Sequence, residues 1–287
     1  MKVVIIYNPN STGDGKTNAN ELARELRRDA IEVAIRKTTH AGHASEIAEA
    51  YAASNEEIIL ISSSGDGGYH EVVNGALSNP KSKLIVGVLP SGNANDHHTS
   101  LSSGNIAKAI EKKKYQRIDT IKISGTVKGK PWVRYAHSYA GIGVTAVAAK
   151  RLTEERPNAF SEKWIVLHSL FSFRSVKVKE AGKKRRYSSI IFSNISTMSK
   201  VMKLSQQSSV TDGKFEMTSV AFGSKLRLLV YILTAATVGL NHGNSRKRYS
   251  CTTTGPLPIQ IDGESYTVDA STKLTVEAAP RSLHCVL

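Results

Sequence analysis

The sequence predicts an α/β domain followed by a β-rich one, and three observations predict it. Over the first 115 residues, apolar runs and amphipathic stretches alternate as βαβαβαβα, the pattern of a parallel sheet covered on both faces. Beyond residue 119 the texture changes to short segments of period two, which indicate an antiparallel sandwich or sheet. The charge changes at the same place. The chain carries a net charge of +15; residues 1–121 hold 14 basic and 14 acidic side chains, and residues 122–287 hold 25 and 10. The boundary is therefore expected at 117–123. This gives a first domain over 1–120 and a second over 121–287, with the last strand able to return to the first.

Residues 3–7 are an aliphatic run long enough for one buried strand. A polar, Gly-containing loop follows at 8–16, and its Lys16 lacks the spacing of a P-loop lysine. Residues 19–30 read as an amphipathic helix with Leu22, Ala23 and Leu26 inward, 31–37 as a strand, and 44–53 as a second helix. The most informative stretch is 58–75. A β-branched strand breaks into Ser64-Gly65-Asp66-Gly67-Gly68, and a helical pattern begins at Glu71. Strand, Gly-rich turn and helix bring backbone N–H groups and a helix N-terminus against a phosphate. A carboxylate there repels a bare anion, so Asp66 points to a metal-bound nucleotide. Residues 84–89 form another apolar strand, ending in a third polar loop at 91–98, and 106–113 read as a short helix. Ligands of parallel sheets bind beyond the carboxyl ends of the strands, so the loops at 8–16, 64–70 and 91–98 should converge.

In the second half, period-two segments fall at 118–124, 132–138, 188–194, 215–221, 258–263 and 273–278, with helical patterns at 159–173 and 224–240. The two cysteines, Cys251 and Cys285, are too few for a disulfide framework and have no metal-binding spacing around them. Residues 1–7 read as a strand and not as a signal peptide. The longest apolar stretch, 228–240, falls short of the roughly 20 residues of a bilayer span. A basic half can meet nucleic acid, an anionic membrane or an anionic substrate. No nucleic-acid motif accompanies it. The expectation is a cytoplasmic protein, peripherally associated with a membrane, with Lys183, Lys184, Arg185 and Arg186 as the anionic-lipid contact.

Several segments together resemble the diacylglycerol kinase catalytic-domain family, in particular its bacterial soluble lipid kinases. Tyr7-Asn8-Pro9-Asn10-Ser11 is similar to the first-strand Asn-Pro motif. Gly65-Asp66-Gly67 with Glu71-Val72 and Asn74-Gly75 resembles the Gly-Gly-Asp-Gly-Thr signature and its helix. Leu89 to Asp96 resembles the Pro-x-Gly-Thr-x-Asn-Asp segment. Ala140-Gly141-Ile142-Gly143, the Asp212-Gly213-Lys214-Phe215 element and Ile261-Asp262-Gly263-Glu264 follow in compatible order.

The resemblance implies an ATP-dependent lipid kinase that phosphorylates a hydroxyl of diacylglycerol or a related long-chain lipid. It implies a nucleotide-binding α/β domain, a β-rich second domain and an active site between them. ATP would be lined by Asn8 and Thr38, by Ser64, Gly65, Asp66, Gly67, Gly68, Tyr69, His70 and Glu71, and by Gly92, Asn93, Asn95 and Asp96. Asp212 would hold Mg²⁺ with the backbone carbonyls of Ser209 and Lys214. Glu264, with Asp262 beside it, would be the base for the lipid hydroxyl, and Asp66 would serve the nucleotide metal. A homodimer is among the expected assemblies. The chain departs from the family pattern at Ser64, Gly68 and Asn93, with His97-His98 where an aromatic and a small residue are usual. Two alternatives stay open: a catalytically degenerate member that binds anionic lipid or regulates a partner, and a nicotinamide-dinucleotide kinase.

Overall fold

The computed structural model describes residues 1–10, 13–54, 56–92, 95–101, 104–144, 146–147, 175–198, 202–203, 208–223, 230, 234 and 244–287. Strands that lie parallel in the N-terminal part and antiparallel in the C-terminal part make up most of it. The chain divides into two compact units, residues 1–120 with 280–287, and residues 121–279.

The first unit runs β1 (Lys2–Tyr7), α1 (Gly15–Arg28), β2 (Glu32–Lys37), α2 (His43–Ala53), β3 (Ile58–Ser64), α3 (Asp66–Ala76), β4 (Ile85–Pro90), α4 (Asp96–Leu101) and α5 (Ile106–Glu111). It is joined by the opening of β5 (Tyr115–Val127) and the end of β17 (Lys273–Val286). Strands β2, β1, β3 and β4 lie side by side in parallel, and Cys285 of β17 pairs in parallel with Val86 of β4. Every residue of β3 is buried, as its unbroken apolar run requires of a central strand. Helix α1 presents Ala19, Leu22, Ala23 and Leu26 to Val3, Ile5, Ile59 and Ile61 of the sheet.

Two boundaries differ from the sequence pattern. Helix α3 begins at Asp66, so Gly67, Gly68, Tyr69 and His70 form its opening turn, and the Tyr69 N–H donates to Gly65 O at 3.1 Å. Glycine costs about 1 kcal/mol per helix position, but tertiary packing overrides that cost here. A Cβ on Gly75 would collide with the Ser45 carbonyl, so glycine is what lets α3 lie close on α2. The third polar loop is also shorter than its composition suggests, because Asp96 to Leu101 are helical.

The second unit holds the rest of β5 with β6 (Lys130–Ala136), β7 (Tyr139–Gly143), β8 (Val176–Glu180), β9 (Lys183–Ser193), β10 (Thr197–Met198), β11 (Met202–Lys203), β12 (Phe215–Ala221), β13 (Asn244–Arg246), β14 (Arg248–Thr253), β15 (Leu257–Ile261), β16 (Glu264–Val268) and the start of β17. Neighbours β5–β6, β7–β9, β8–β9, β9–β12, β7–β15 and β15–β16 are antiparallel. Their inward faces build a core around Phe192, Phe215, Ile190 and Ile259. The helix expected at 159–173 lies outside the described residues. Of the stretch at 224–240 only Val230 and Thr234 are described, and both are helical. Among the described residues no helix is long and apolar enough to cross a membrane.

A polar network sits where the β8–β9 hairpin meets this core. Tyr249 Oη donates to Glu180 Oε1 at 2.6 Å, and Tyr187 Oη donates to Glu180 Oε2 at 2.9 Å. Burial and then the hydrogen bond to the carboxylate push the Tyr187 phenol up to about 12, and burial raises Tyr249 further. Both phenols therefore stay protonated donors, and Glu180 anchors the hairpin. Replacing Tyr249 by Phe removes a bond to a charged acceptor. The expected loss is about 1.5–3 kcal/mol of unfolding free energy, read from urea denaturation, with a smaller loss for Tyr187→Phe.

Candidate active site

The carboxyl ends of β1, β3 and β4 bring three segments together in the first unit. Ser63 on β3 donates through Oγ to Gly15 O at 2.8 Å and lies 3.1 Å from Ser91 Oγ. Asn18 on α1 donates through Nδ2 to Ser91 Oγ at 2.9 Å. A Cβ on Gly13 would collide with the Ser91 carbonyl, and one on Gly92 would stand 2.5 Å from the Gly65 Cα. Gly13, Gly65 and Gly92 are thus needed for close approach and not for unusual torsions. The result is a half-buried rim of backbone, Gly65 to Gly68, at the amino end of the eleven-residue helix α3. Such an edge offers N–H groups and a positive dipole to an anion.

The side chains predicted to line a nucleotide divide sharply. Asp66 is half-buried, and its carboxylate accepts from the Asp96 N–H (Oδ2, 3.2 Å) and the His97 N–H (Oδ1, 3.4 Å), which aims it across the turn. Asn8 is exposed and accepts from the Asn10 N–H at 2.9 Å. Thr38 sits at the end of β2, its N–H donating to Tyr7 O at 2.9 Å. Five expected contacts are corrected. Tyr69 and His70 are only 1% and 2% exposed, and the Tyr69 ring packs 4.9 Å from the His97 ring at a tilt of 41°. Glu71 accepts from the Gly42 and Ala44 N–H groups at 3.0 and 3.2 Å, so its carboxylate caps α2. Asn95 closes its own loop, accepting from Gly92 N–H at 3.3 Å and donating to Gly92 O at 2.7 Å. Asp96 is 3% exposed and belongs to the first turn of α4. Asn93 lies outside the described residues. His97 is buried, and burial lowers the pKa of half-buried His98, so that ring is neutral at pH 7.

The second unit carries the carboxylates singled out as base candidates. Asp262 and Gly263 form the two-residue turn between β15 and β16, with φ of +48° and +99°. Positive φ at both positions matches a tight hairpin turn. The Asp262 side chain points inward and is fully buried. It accepts from the N–H groups of His137 (2.9 Å), Ser138 (3.0 Å) and Tyr139 (3.0 Å), and His137 Nε2 lies 3.5 Å from Oδ2. Asp262 is therefore a corrected expectation: its carboxylate fastens the β6–β7 turn and positions its neighbour. That neighbour, Glu264, is exposed on β16. Sequence reasoning missed the cluster around Tyr266, which stands two residues beyond Glu264 on β16. The Arg134 guanidinium lies 5.9 Å from the rings of both Trp132 and Tyr266, which are 5.1 Å apart. The alternation of β6, which puts Trp132 and Arg134 on one face, was the available signal. Asp212 is exposed, and its Oδ1 accepts from the Lys214 N–H at 3.0 Å. No group of three His, Cys, Asp or Glu side chains is placed to hold a metal among the described residues. A set made of one carboxylate and two backbone carbonyls supplies only hard oxygen donors, which suits Mg²⁺.

A family model described as the diacylglycerol kinase catalytic domain matches residues 2–124. Residues 2–124 are thus similar to that catalytic domain. A Staphylococcus haemolyticus protein named "Putative lipid kinase" is 30% identical over 102 residues, a match that covers 34% of this chain and 30% of the relative's own length. Among solved structures, a diacylglycerol kinase from Bacillus anthracis aligns with a TM-score of 0.72 at 19% identity, covering 99% of this chain and 96% of that one. Yeast NADH kinase complexed with NADH aligns with a TM-score of 0.52 at 11% identity, covering 100% and 83%. At those identities the likenesses show the fold.

Within the matched residues, the departures at Ser64 and Gly68 are coupled. A Cβ on Gly68 would lie 2.6 Å from both Cβ and Oγ of Ser64. The Ser64 hydroxyl is held 2.7 Å from Ser62 Oγ and donates to Gly65 O at 3.0 Å. A side chain at 64 and a side chain at 68 compete for one space, so serine at the first position requires glycine at the last. Gly68→Thr alone is expected to cost about 1–3 kcal/mol through overpacking. Ser64→Gly/Gly68→Thr should recover most of it, and thermal unfolding of the three proteins checks this. Asp262→Ala leaves three buried N–H groups without their acceptor. It should cost about 3 kcal/mol or more, measured by denaturant unfolding, while Glu264→Gln stays within about 0.5 kcal/mol of the parent.

Proposed function

We propose that this protein is a lipid kinase that transfers the γ-phosphate of ATP to a hydroxyl of diacylglycerol or a related long-chain lipid. The observation that carries the reading is the convergence of residues 13–18, 63–68, 91–92 and 95–97 on the amino end of α3, within the residues that match the catalytic-domain model. Phosphoryl transfer relies on held phosphates and an acceptor for the hydroxyl proton more than on covalent catalysis. The backbone N–H groups of Gly65 to Gly68 would hold the phosphates. Asp66 is kept in place at the start of α3 by the Asp96 and His97 N–H groups. Asp66 would serve the Mg²⁺ that accompanies the nucleotide and neutralises charge on its phosphate oxygens, and Asp212 would hold Mg²⁺ with the carbonyls of Ser209 and Lys214. Glu264 would take the proton of the acceptor hydroxyl, with Asp262 fixing the turn that presents it. Arg134, Trp132 and Tyr266 would flank the acceptor.

The packing of Ser64 against Gly68 favours one second reading, a family member that has lost transfer and binds anionic lipid. The test is transfer of labelled γ-phosphate from ATP, with Mg²⁺, to lipids in mixed micelles. Label is expected in a lipid, reduced roughly 100-fold or more in Asp66→Ala and in Glu264→Gln, and abolished when the metal is chelated. Label on a soluble dinucleotide would replace the reading with a dinucleotide kinase. No transfer to any acceptor would favour the degenerate member.

A further inference from the structure

The basic run 183–186 enters the structure as one strand of the β8–β9 hairpin, and the hairpin splits it. Lys177 stands opposite Arg186, Lys179 opposite Lys184, and Glu180 opposite Lys183. Directly opposed residues of an antiparallel pair share a face, and successive residues alternate. Val176 and Val178 are buried, so their face is the inner one. Lys177, Lys179, Lys184 and Arg186 therefore stand together on the outer face, and all four are exposed. Lys183 and Arg185 fall on the other face, with Glu180 and Tyr187. Directly opposed like charges destabilise a strand pair. Here two such pairs are adjacent, and no salt bridge joins any of the four to a carboxylate among the described residues.

The surroundings of Arg186 narrow the choice of anion. Its Nε and Nη2 both donate to Ser175 Oγ, at 3.2 and 3.1 Å, and its guanidinium lies 4.5 Å from the Phe222 ring centroid. The Phe222 N–H donates to Arg186 O at 3.1 Å, so ring and cation are held as a unit. Phe222 is nevertheless 43% exposed. Both residues line an open groove of about 790 Å³ with Lys177, Thr254, Pro256 and Leu257. Cations on one face beside an exposed ring match a bilayer surface, where phosphates and hydrocarbon lie next to each other. The guanidinium already covers one face of the ring, which disfavours base stacking on a nucleic acid.

We propose that the outer face of the β8–β9 hairpin, with Phe222, is a docking site for anionic phospholipid headgroups. Lys177, Lys179, Lys184 and Arg186 meet the phosphates, and Phe222 enters the interface beside them. The choice of lipid over other anions rests on the lipid-kinase reading. Two cations of the site, Lys177 and Lys179, lie outside the basic run, and two members of the run lie outside the site.

The test is co-sedimentation of the full chain with phosphatidylcholine vesicles, with and without phosphatidylglycerol. Lys177→Ala/Arg186→Ala and Lys183→Ala/Arg185→Ala remove the same number of charges from opposite faces. Lys179→Gln/Lys184→Gln removes two from the outer face without touching Ser175 or Phe222. Both outer-face variants should bind anionic vesicles roughly tenfold or more weakly, and the inner-face variant should stay within about threefold of the parent. Circular dichroism shows that each variant is folded. Equal losses on both faces, absence of binding by the parent, or displacement of the parent from vesicles by single-stranded nucleic acid would each overturn the proposal. Sedimentation uses neither nucleotide nor acceptor, so a chain that binds vesicles but transfers no phosphate loses the kinase reading and keeps this site.

Discussion

The first unit depends on backbone meeting backbone at Gly65 and Gly92, where the turns after β3 and β4 touch without room for a side chain between them. From that contact follow the placing of Ser91 against Ser63 and Asn18, and the capture of the Asp96 and His97 N–H groups by Asp66. The three turns are one assembly because each supplies groups that another must satisfy. Any side chain at Gly92 would separate them and release Asp66 from its donors.

The sequence was most readable where one physical requirement dominated. The continuous apolar runs of β1, β3 and β4 left no choice but a buried parallel sheet, and parallel strands bring their following turns to one edge. Side-chain roles were harder to read, because a polar residue in a motif can serve either a ligand or the fold. Glu71 and Asn95 look like ligand-facing groups in one dimension. In three dimensions the first closes α2 and the second closes its own loop. The helical start at Asp66 was hidden by glycines, whose local preference opposes a helix that close packing on α2 then enforces.

The second unit shows the same limit in its carboxylates. Asp262 and Glu264 stand two residues apart in one motif, yet one is sealed among three backbone donors and the other is exposed. The turn between their strands makes the difference, since positive φ at Asp262 swings its side chain inward. A charge run is equally ambiguous in one dimension. Four consecutive cations become two and two once strand geometry assigns faces, and cations from the partner strand complete the outer group.

The chain passes between its units twice, after Thr120 and after Ala279. The residues at the second passage are tied to those at the first: the Arg281 N–H donates to Asp119 Oδ1 at 2.8 Å, and Ser282 Oγ lies 2.8 Å from Thr120 Oγ1. The second unit is thus an insertion within the first. During synthesis the opening 120 residues leave the ribosome with the β4 edge at Val86 still without its β17 partner. That edge waits for residues 280–287 while the whole second unit is made. The sheet of the first unit is therefore completed only once the inserted residues 121–279 have been made.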